Sequence, residues 1–264
     1  MPKSFHAFAF VLATPAWIMA QVVPGGPDAG LAGEEDRVPA VEPGFFEAWS
    51  HSVALGLNGA EGNTENLNVR AALKGERKLE FVASGYELSY SRAAERSRVT
   101  QNRFEARGRQ DWLFQDAPRW RYFLTASYEY DDFRDWNHRV TVGNGLGYAL
   151  VQEDDTLVLG RLGFGASREI GGDENHIVPE GILGLDLDHK FTERQKITAT
   201  LEYLPELLDF GPYRARAKAS YEVLLDQETN MSLRLGIEDN YDSTPGEGRS
   251  RNDLAYFAML AWSF

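Results

Sequence analysis

The sequence predicts an all-β fold, a transmembrane antiparallel β-barrel of about twelve strands. Three observations carry that prediction. From Trp49 onward, apolar residues recur at every second position, the side-chain period of a strand. Short charged turns alternate with generally longer connectors. Aromatic residues gather near strand ends instead of strand middles, the pattern of two interfacial belts.

The alternation is clearest in RFEARGRQDWLF (103–114). Phe104, Ala106, Gly108, Gln110, Trp112 and Phe114 make one face. Arg103, Glu105, Arg107, Arg109 and Asp111 make the other, so the strand divides two very different environments. RWRYFLTASYEYDD repeats the pattern with Trp120, Tyr122, Leu124, Ala126, Tyr128 and Tyr130 on its apolar face. DWNHRVTVGNGLGYAL does so with Trp136, His138, Val140, Val142, Leu146, Tyr148 and Leu150. The final strand carries Leu254, Tyr256, Ala258, Leu260, Trp262 and Phe264. Two strands, 79–90 and 156–168, alternate less cleanly. In the first the apolar phase slips near Gly85, which predicts a bulge.

The short connectors are GERK (75–78), QDAPR (115–119), QEDDT (152–156), TERQ (192–195) and DQET (226–229). The longer ones are SRAAERSRV (91–99), SREIGGDENH (167–176), LPELLDFGP (204–212) and YDSTPGEGRSR (241–251). EGNTE (61–65) and DDFRD (131–135) share their end of the molecule but are shorter. Short periplasmic turns and longer outside loops are the signature of an outer-membrane barrel. With the N-terminus periplasmic, Trp49, Trp112, Trp120, Tyr122, Trp262 and Phe264 form the periplasmic girdle. Tyr128, Tyr130, Trp136, Tyr241 and Tyr256 form the outer one. A soluble sandwich or lipocalin-like barrel would place its aromatics mid-strand to fill a core; Ala, Val and Leu occupy many of those positions here.

Composition agrees. The chain has 264 residues and a net charge of -13. That balance argues against a nucleic-acid partner, which needs a basic patch. Mean hydropathy is -0.40, a value that hides a barrel's lipid face because only alternate residues contribute to it. No apolar run of about 20 residues follows the N-terminus, so no transmembrane helix is expected in the mature chain. Residues 1–20 read as a signal peptide, with Lys3 in the n-region, a short apolar core and a cleavage point after Ala20. Residues 21–44, rich in Pro, Gly and acid, read as a flexible periplasmic segment, and 45–264 as the barrel. The chain has no cysteine, hence no disulfide, thiolate metal site or thiol nucleophile.

GLNGAEGNTENLNV, YEYDDFRDWNHRVTVGNGLGYAL and the closing GIEDNYDSTPGEGRSRNDLAYFAMLAWSF resemble the salt-induced outer-membrane proteins of Gram-negative bacteria, catalogued as domain of unknown function 481. The likeness covers about residues 49–264. It implies the fold, an outer-membrane location and a link to salt stress, with no established transport or enzymatic role. It also implies that the C-terminal aromatic strand is recognised by the barrel assembly machinery. Outer-membrane lipid and lipopolysaccharide are the other expected partners.

The predicted lumen is densely charged: Arg70; Arg103, Glu105, Arg107, Arg109 and Asp111; Glu180, Asp186 and Asp188; Arg214, Arg216, Lys218 and Glu222; Arg234 and Glu238. Two expectations follow. Either these side chains cross-link a largely filled interior, or they line a narrow path for ions or small solutes. Gly143, Gly145, Gly147, Gly163 and Gly165 face the same interior and mark either an open groove or a strongly coiled wall. No catalytic residue, metal site or cofactor is expected. A rim-sited hydrolase needs a nucleophile beside a base, and His138 and His176, the rim histidines, have no suitably placed serine.

Overall fold

The computed structural model of this chain describes residues 48–60, 66–172, 175–209, 211–246 and 248–264. The expected signal peptide and the segment 21–44 lie outside the described residues.

Twelve strands close into one barrel: β1 (Trp49–Ala60), β2 (Asn66–Lys78), β3 (Val82–Glu95), β4 (Arg98–Phe114), β5 (Ala117–Asp131), β6 (His138–Gln152), β7 (Thr156–Ile170), β8 (Ile177–Thr192), β9 (Gln195–Pro205), β10 (Tyr213–Asp226), β11 (Met231–Asp242) and β12 (Asn252–Ser263). Each pairs antiparallel with its sequence neighbours, and β1 pairs with β12. Sequence alternation becomes sidedness through this register. Opposite residues share a face, so one inward residue fixes the facing of a whole row. The row Glu87–Arg107–Ser127–Thr141–Ser167 crosses five strands and points inward throughout. The outward rows carry exposed Leu55, Val142, Leu146, Leu162, Leu183, Leu201, Leu235 and Ile237. An apolar belt this continuous belongs against lipid, since a water-soluble surface does not sustain it.

The end of the barrel that holds the chain's first and last strand residues is the terminal end here, and the opposite one the loop end. The connection 91–99 is not a long loop. β3 runs to Glu95 and β4 starts at Arg98, leaving Arg96 and Ser97 with φ of 48 and 62. Two positive φ values give a two-residue hairpin turn whose twist matches the strands, so both strands simply extend past the expected loop. The bulge expected near Gly85 is also displaced. Gly85 stands in unbroken register between Glu76 and Arg109, and the irregularity falls at Ala93/Ala94. The phase does not slip there: Ala83, Gly85, Ser89 and Ser91 flank Glu87 on the inward face of β3, while Val82, Tyr86, Leu88 and Tyr90 face out.

The apolar core lies inside the barrel. Phe123, Ile182 and Leu204 form one buried cluster, and Ala54, Ala72, Met259 and Ala261 another. The glycine rows pair directly, Gly143 with Gly165 and Gly145 with Gly163. A Cβ on Gly145 would press on the Leu162 carbonyl and lie 2.5 Å from the Gly163 Cα. The wall is therefore coiled too tightly for side chains on this face. No open groove results, because Ile182 closes over Gly143 and Phe123, opposite Gly145, is fully buried.

Gly145→Ala should accordingly destabilise the barrel by about 1–3 kcal/mol. Gly108→Ala, where an added Cβ meets nothing within 4 Å, should stay within roughly 0.5 kcal/mol of wild type. Urea unfolding in lipid vesicles measures both, and equal effects would contradict the close approach.

Candidate functional site

The inward rows bring charges of both signs together on facing walls. Arg216 on β10 reaches Glu129 on β5 at 2.6 Å, with Glu105 and Glu202 each 3.9 Å away. Glu202 also receives Arg161 at 3.0 Å and Arg107 at 3.5 Å. Asp186 receives Arg161 at 2.9 Å and Arg109 at 2.6 Å. Arg109 holds Asp111 at 2.7 Å, and Arg121 approaches the same carboxylate at 3.7 Å. Arg103 joins Glu105 at 3.5 Å and Glu129 at 3.7 Å, and Arg107 pairs with Glu105. Among the described residues, six arginines and five carboxylates thus form one connected network. It ties β4 and β5 to β8, β9 and β10 across the lumen. Several members are almost dry: the side chains of Arg161 and Glu129 are 3% and 4% exposed.

The β5–β6 connection closes the loop end above this network. Arg134 pairs with Asp253 at the start of β12. Trp136 turns inward beneath the Arg139 guanidinium, 4.2 Å from its ring centre. The space left there, beside Arg103, Glu129, Leu204, Arg214 and Arg216, is only about 20 Å³. Alternation had placed Trp136 in the outer lipid girdle, and the structure corrects this. β6 begins at His138, so the strand phase does not reach back to Trp136, which is buried.

The other side of the lumen is open to water. A cavity of about 870 Å³ at the loop end is bounded by β1–β4, β11 and β12. A second of about 270 Å³ shares Ser89, Glu105 and Glu238 with it. A third, of about 140 Å³, shares Lys74, Glu87, Thr200 and Lys218 with the second and reaches Lys196, Glu222 and Arg234. Lys74 and Lys218 are 32% exposed and Lys196 41%, although all three point inward. Two ion pairs span this half, Arg70–Glu238 at 2.6 Å and Lys218–Glu87. Arg234 holds Glu222 at 2.9 Å.

Of the remaining expected lumen residues, Arg214 clamps Glu180 at 2.7 Å. Asp188 stands on the inward row of β8, opposite Leu157 and Thr198. Alternation missed Glu87, Arg121, Glu129, Arg139 and Arg161. Three were legible as the odd positions opposite Trp120, Tyr130 and His138; Glu87 and Arg161 lie in the two strands whose pattern was weakest. Among the girdle residues, Trp112 packs on Tyr122 at 5.7 Å, Trp120 on Tyr148 at 4.8 Å and Trp49 on Tyr86 at 5.5 Å, all toward the terminal end. Phe264 lies 5.9 Å from His51, and Trp262 pairs with Val53 and Met231 in the same zone. Toward the loop end, Tyr128 and Tyr130 both pack on His138, and Tyr241 stacks on Tyr213. Tyr256 stands opposite Ile237. His138 is engaged by the Tyr128 hydroxyl at 2.8 Å, and His189 by the Thr156 hydroxyl at 2.8 Å. Beyond β5, Asp132 accepts hydrogen bonds from Tyr130 and Asn102, which lower its pKa below the usual carboxylate value.

The two halves should respond differently to truncation. Arg216→Ala takes from buried Glu129 its nearest counter-charge and from Glu105 and Glu202 a further one, and should cost about 3–5 kcal/mol. Lys218→Ala, in the wet half, should cost about 0–1 kcal/mol. Urea midpoints in vesicles compare them; equal losses would contradict a divided lumen.

The solved structures this chain is similar to are distant. The KdgM porin in complex with disordered oligogalacturonate is 12% identical with a TM-score of 0.46, over 81% of this chain and 99% of that one. The translocator domain of the autotransporter NalP from Neisseria meningitidis is 13% identical at 0.45, over 82% and 86%. The NanC porin is 9% identical at 0.45, over 81% and 97%. No curated protein sequence matches. The family described as "Protein of unknown function, DUF481" matches residues 53–264, four-fifths of the sequence. A twelve-stranded barrel with a charged, divided lumen is thus the form this chain takes as a member of the DUF481 family.

Proposed function

We propose that this protein is an outer-membrane barrel that conducts small ions along an off-axis path, anions ahead of cations. The observation that carries the reading is the chain of three cavities with shared lining residues, which runs beside β1–β3 and β9–β12 and whose middle chamber borders the network at Arg107, Arg109, Arg161, Asp186, Glu202 and Arg216. The ion-pair network on the other side is structural. It narrows the conduit and stiffens the wall.

Selectivity follows from the narrowest chamber. Arg70, Lys74, Lys196, Lys218 and Arg234 line it, against Glu87 and Glu222. Fixed positive charge in a confined, partly desolvated space raises the local anion concentration. The middle chamber carries balanced charges and discriminates little.

The termini end faces the periplasm, which puts the longer connections outside, next to lipopolysaccharide. The C-terminal strand is the element the assembly machinery engages: Phe264 exchanges two backbone hydrogen bonds with His51 at the closing seam, at 2.9 and 3.0 Å. No catalytic role is assigned. The salt-stress connection rests on the family resemblance, and a selective ion leak is a function consistent with it.

Purified protein in planar bilayers under a KCl gradient should show small, resolvable conductance steps with a reversal potential on the anion side. Lys74→Glu with Lys196→Glu should move that potential toward the cation side. Absence of steps across a range of salt concentrations would sink the proposal.

A further inference from the structure

The closing seam is paired over only part of its length. Register partners run from Ser52–Ser263 to Leu55–Leu260, with His51 and Phe264 bonded just beyond. Yet β1 stays paired with β2 as far as Ala60, and β12 with β11 from Asn252 onward. Beyond Gly56 toward the loop end, β1 and β12 therefore each keep one neighbouring strand and lack register partners on the other side among the described residues.

Gly56 marks the last close approach of the two strands. A Cβ there would sit 2.7 Å from the Ala258 carbonyl oxygen and 2.9 Å from the Met259 Cγ. A Cβ on paired inward glycines such as Gly145 and Gly163 would meet a neighbouring-strand carbonyl in the same way, so at Gly56 β12 still runs beside β1, and the two edges part beyond it. Above Gly56, the 870 Å³ cavity is lined from both faces of the wall. Arg70, Asn240 and Phe257 face it from the lumen, and Leu57, Leu254 and Tyr256 belong to the lipid-facing rows. A space lined by both faces of a sheet passes through that sheet. Leu57 and Tyr256 are 73% and 84% exposed. Unpaired backbone cannot simply face hydrocarbon, so water or a polar group from the cavity must satisfy these edges.

We infer that this gap is a lateral portal through which a single-chain amphiphile with a small polar head moves between the membrane leaflet at the loop end and the lumen. Beside the gap the lipid-side lining, Leu57, Leu254, Tyr256 and Ala258, is apolar and suits an acyl chain. The lumen-side lining offers serine, asparagine and glutamine side chains. The whole cavity's five arginines, Arg92 on a lipid-facing row among them, are nearly balanced by four carboxylates, so a zwitterionic or uncharged head is read by hydrogen bonds and not by net charge. The Arg70 guanidinium, spread 4.3 Å above the Phe257 ring, gives that head a flat cationic floor. The portal adds to ion conduction and does not require it.

The absence of cysteine makes site-specific probes clean. Bimane on Ala255→Cys, on the lumen face of β12, should be quenched in vesicles by doxyl-labelled lysophosphatidylcholine at least half as strongly as bimane on lipid-facing Leu254→Cys. Bimane on Ser220→Cys, deeper in the lumen on β10 and away from the gap, should be quenched by iodide and not by the lipid-borne doxyl. Asn68→Cys gives the same reading as Ala255→Cys from β2, should the first variant fail to assemble. An Ala255 probe that behaves like the Ser220 probe overturns the portal. So does spontaneous, near-complete disulfide formation between Gly59→Cys and Tyr256→Cys, which continued pairing would set opposite each other.

Discussion

Hydrocarbon offers a backbone no hydrogen-bond partner, so a sheet placed in it must close on itself. The rest of this structure follows from that constraint. Closure forces twelve strands into one ring, and the ring gives each residue one of two destinations, lipid or lumen. Period two in the sequence is the record of that choice. The lumen then gathers charge from every wall, and in a space with little water those charges have to be neutralised by one another.

The manner of neutralisation divides the interior. All six cations of the buried network are arginine, whose planar fork bonds two carboxylates at once and sheds water at lower cost. The lysines, strongly hydrated point charges, stand in the wet half at positions 74, 196 and 218. Side-chain type thus tracks hydration. The same division separates roles: one side braces the barrel between non-adjacent strands, and the other leaves a path. Closure itself is weakest at β1–β12, where four register pairs carry the seam that other neighbours share over nine or more. A gap at that place, beside the largest cavity, turns the least satisfied part of the constraint into an opening.

Much of this was legible in the sequence, because alternation reads directly as facing. Strand number, the closing role of the last strand and most inward charges follow from it. What alternation cannot convey is where a strand stops. Trp136 keeps the parity of β6 but lies in the turn before it, so it faces Arg139 instead of lipid. Ser91 to Val99 looks like a loop because it is polar, yet two positive-φ residues make it a hairpin tip. Partners across the lumen are also invisible. Arg107 and Glu202 are 95 residues apart, and only the curvature of the closed sheet brings them together. The pairing deficit at the seam leaves no trace in composition, since Gly56 to Ala60 alternates as any strand does.

The central claim is that one wall of the lumen is dry and cross-braced while the other is water-filled. Modification of single cysteines by a charged, membrane-impermeant methanethiosulfonate tests it most directly. Thr198→Cys and Ser220→Cys should react fast in assembled protein, and Ala149→Cys and Ser167→Cys should stay protected until the barrel is unfolded. Uniform reactivity at all four positions, or uniform protection, would contradict the account.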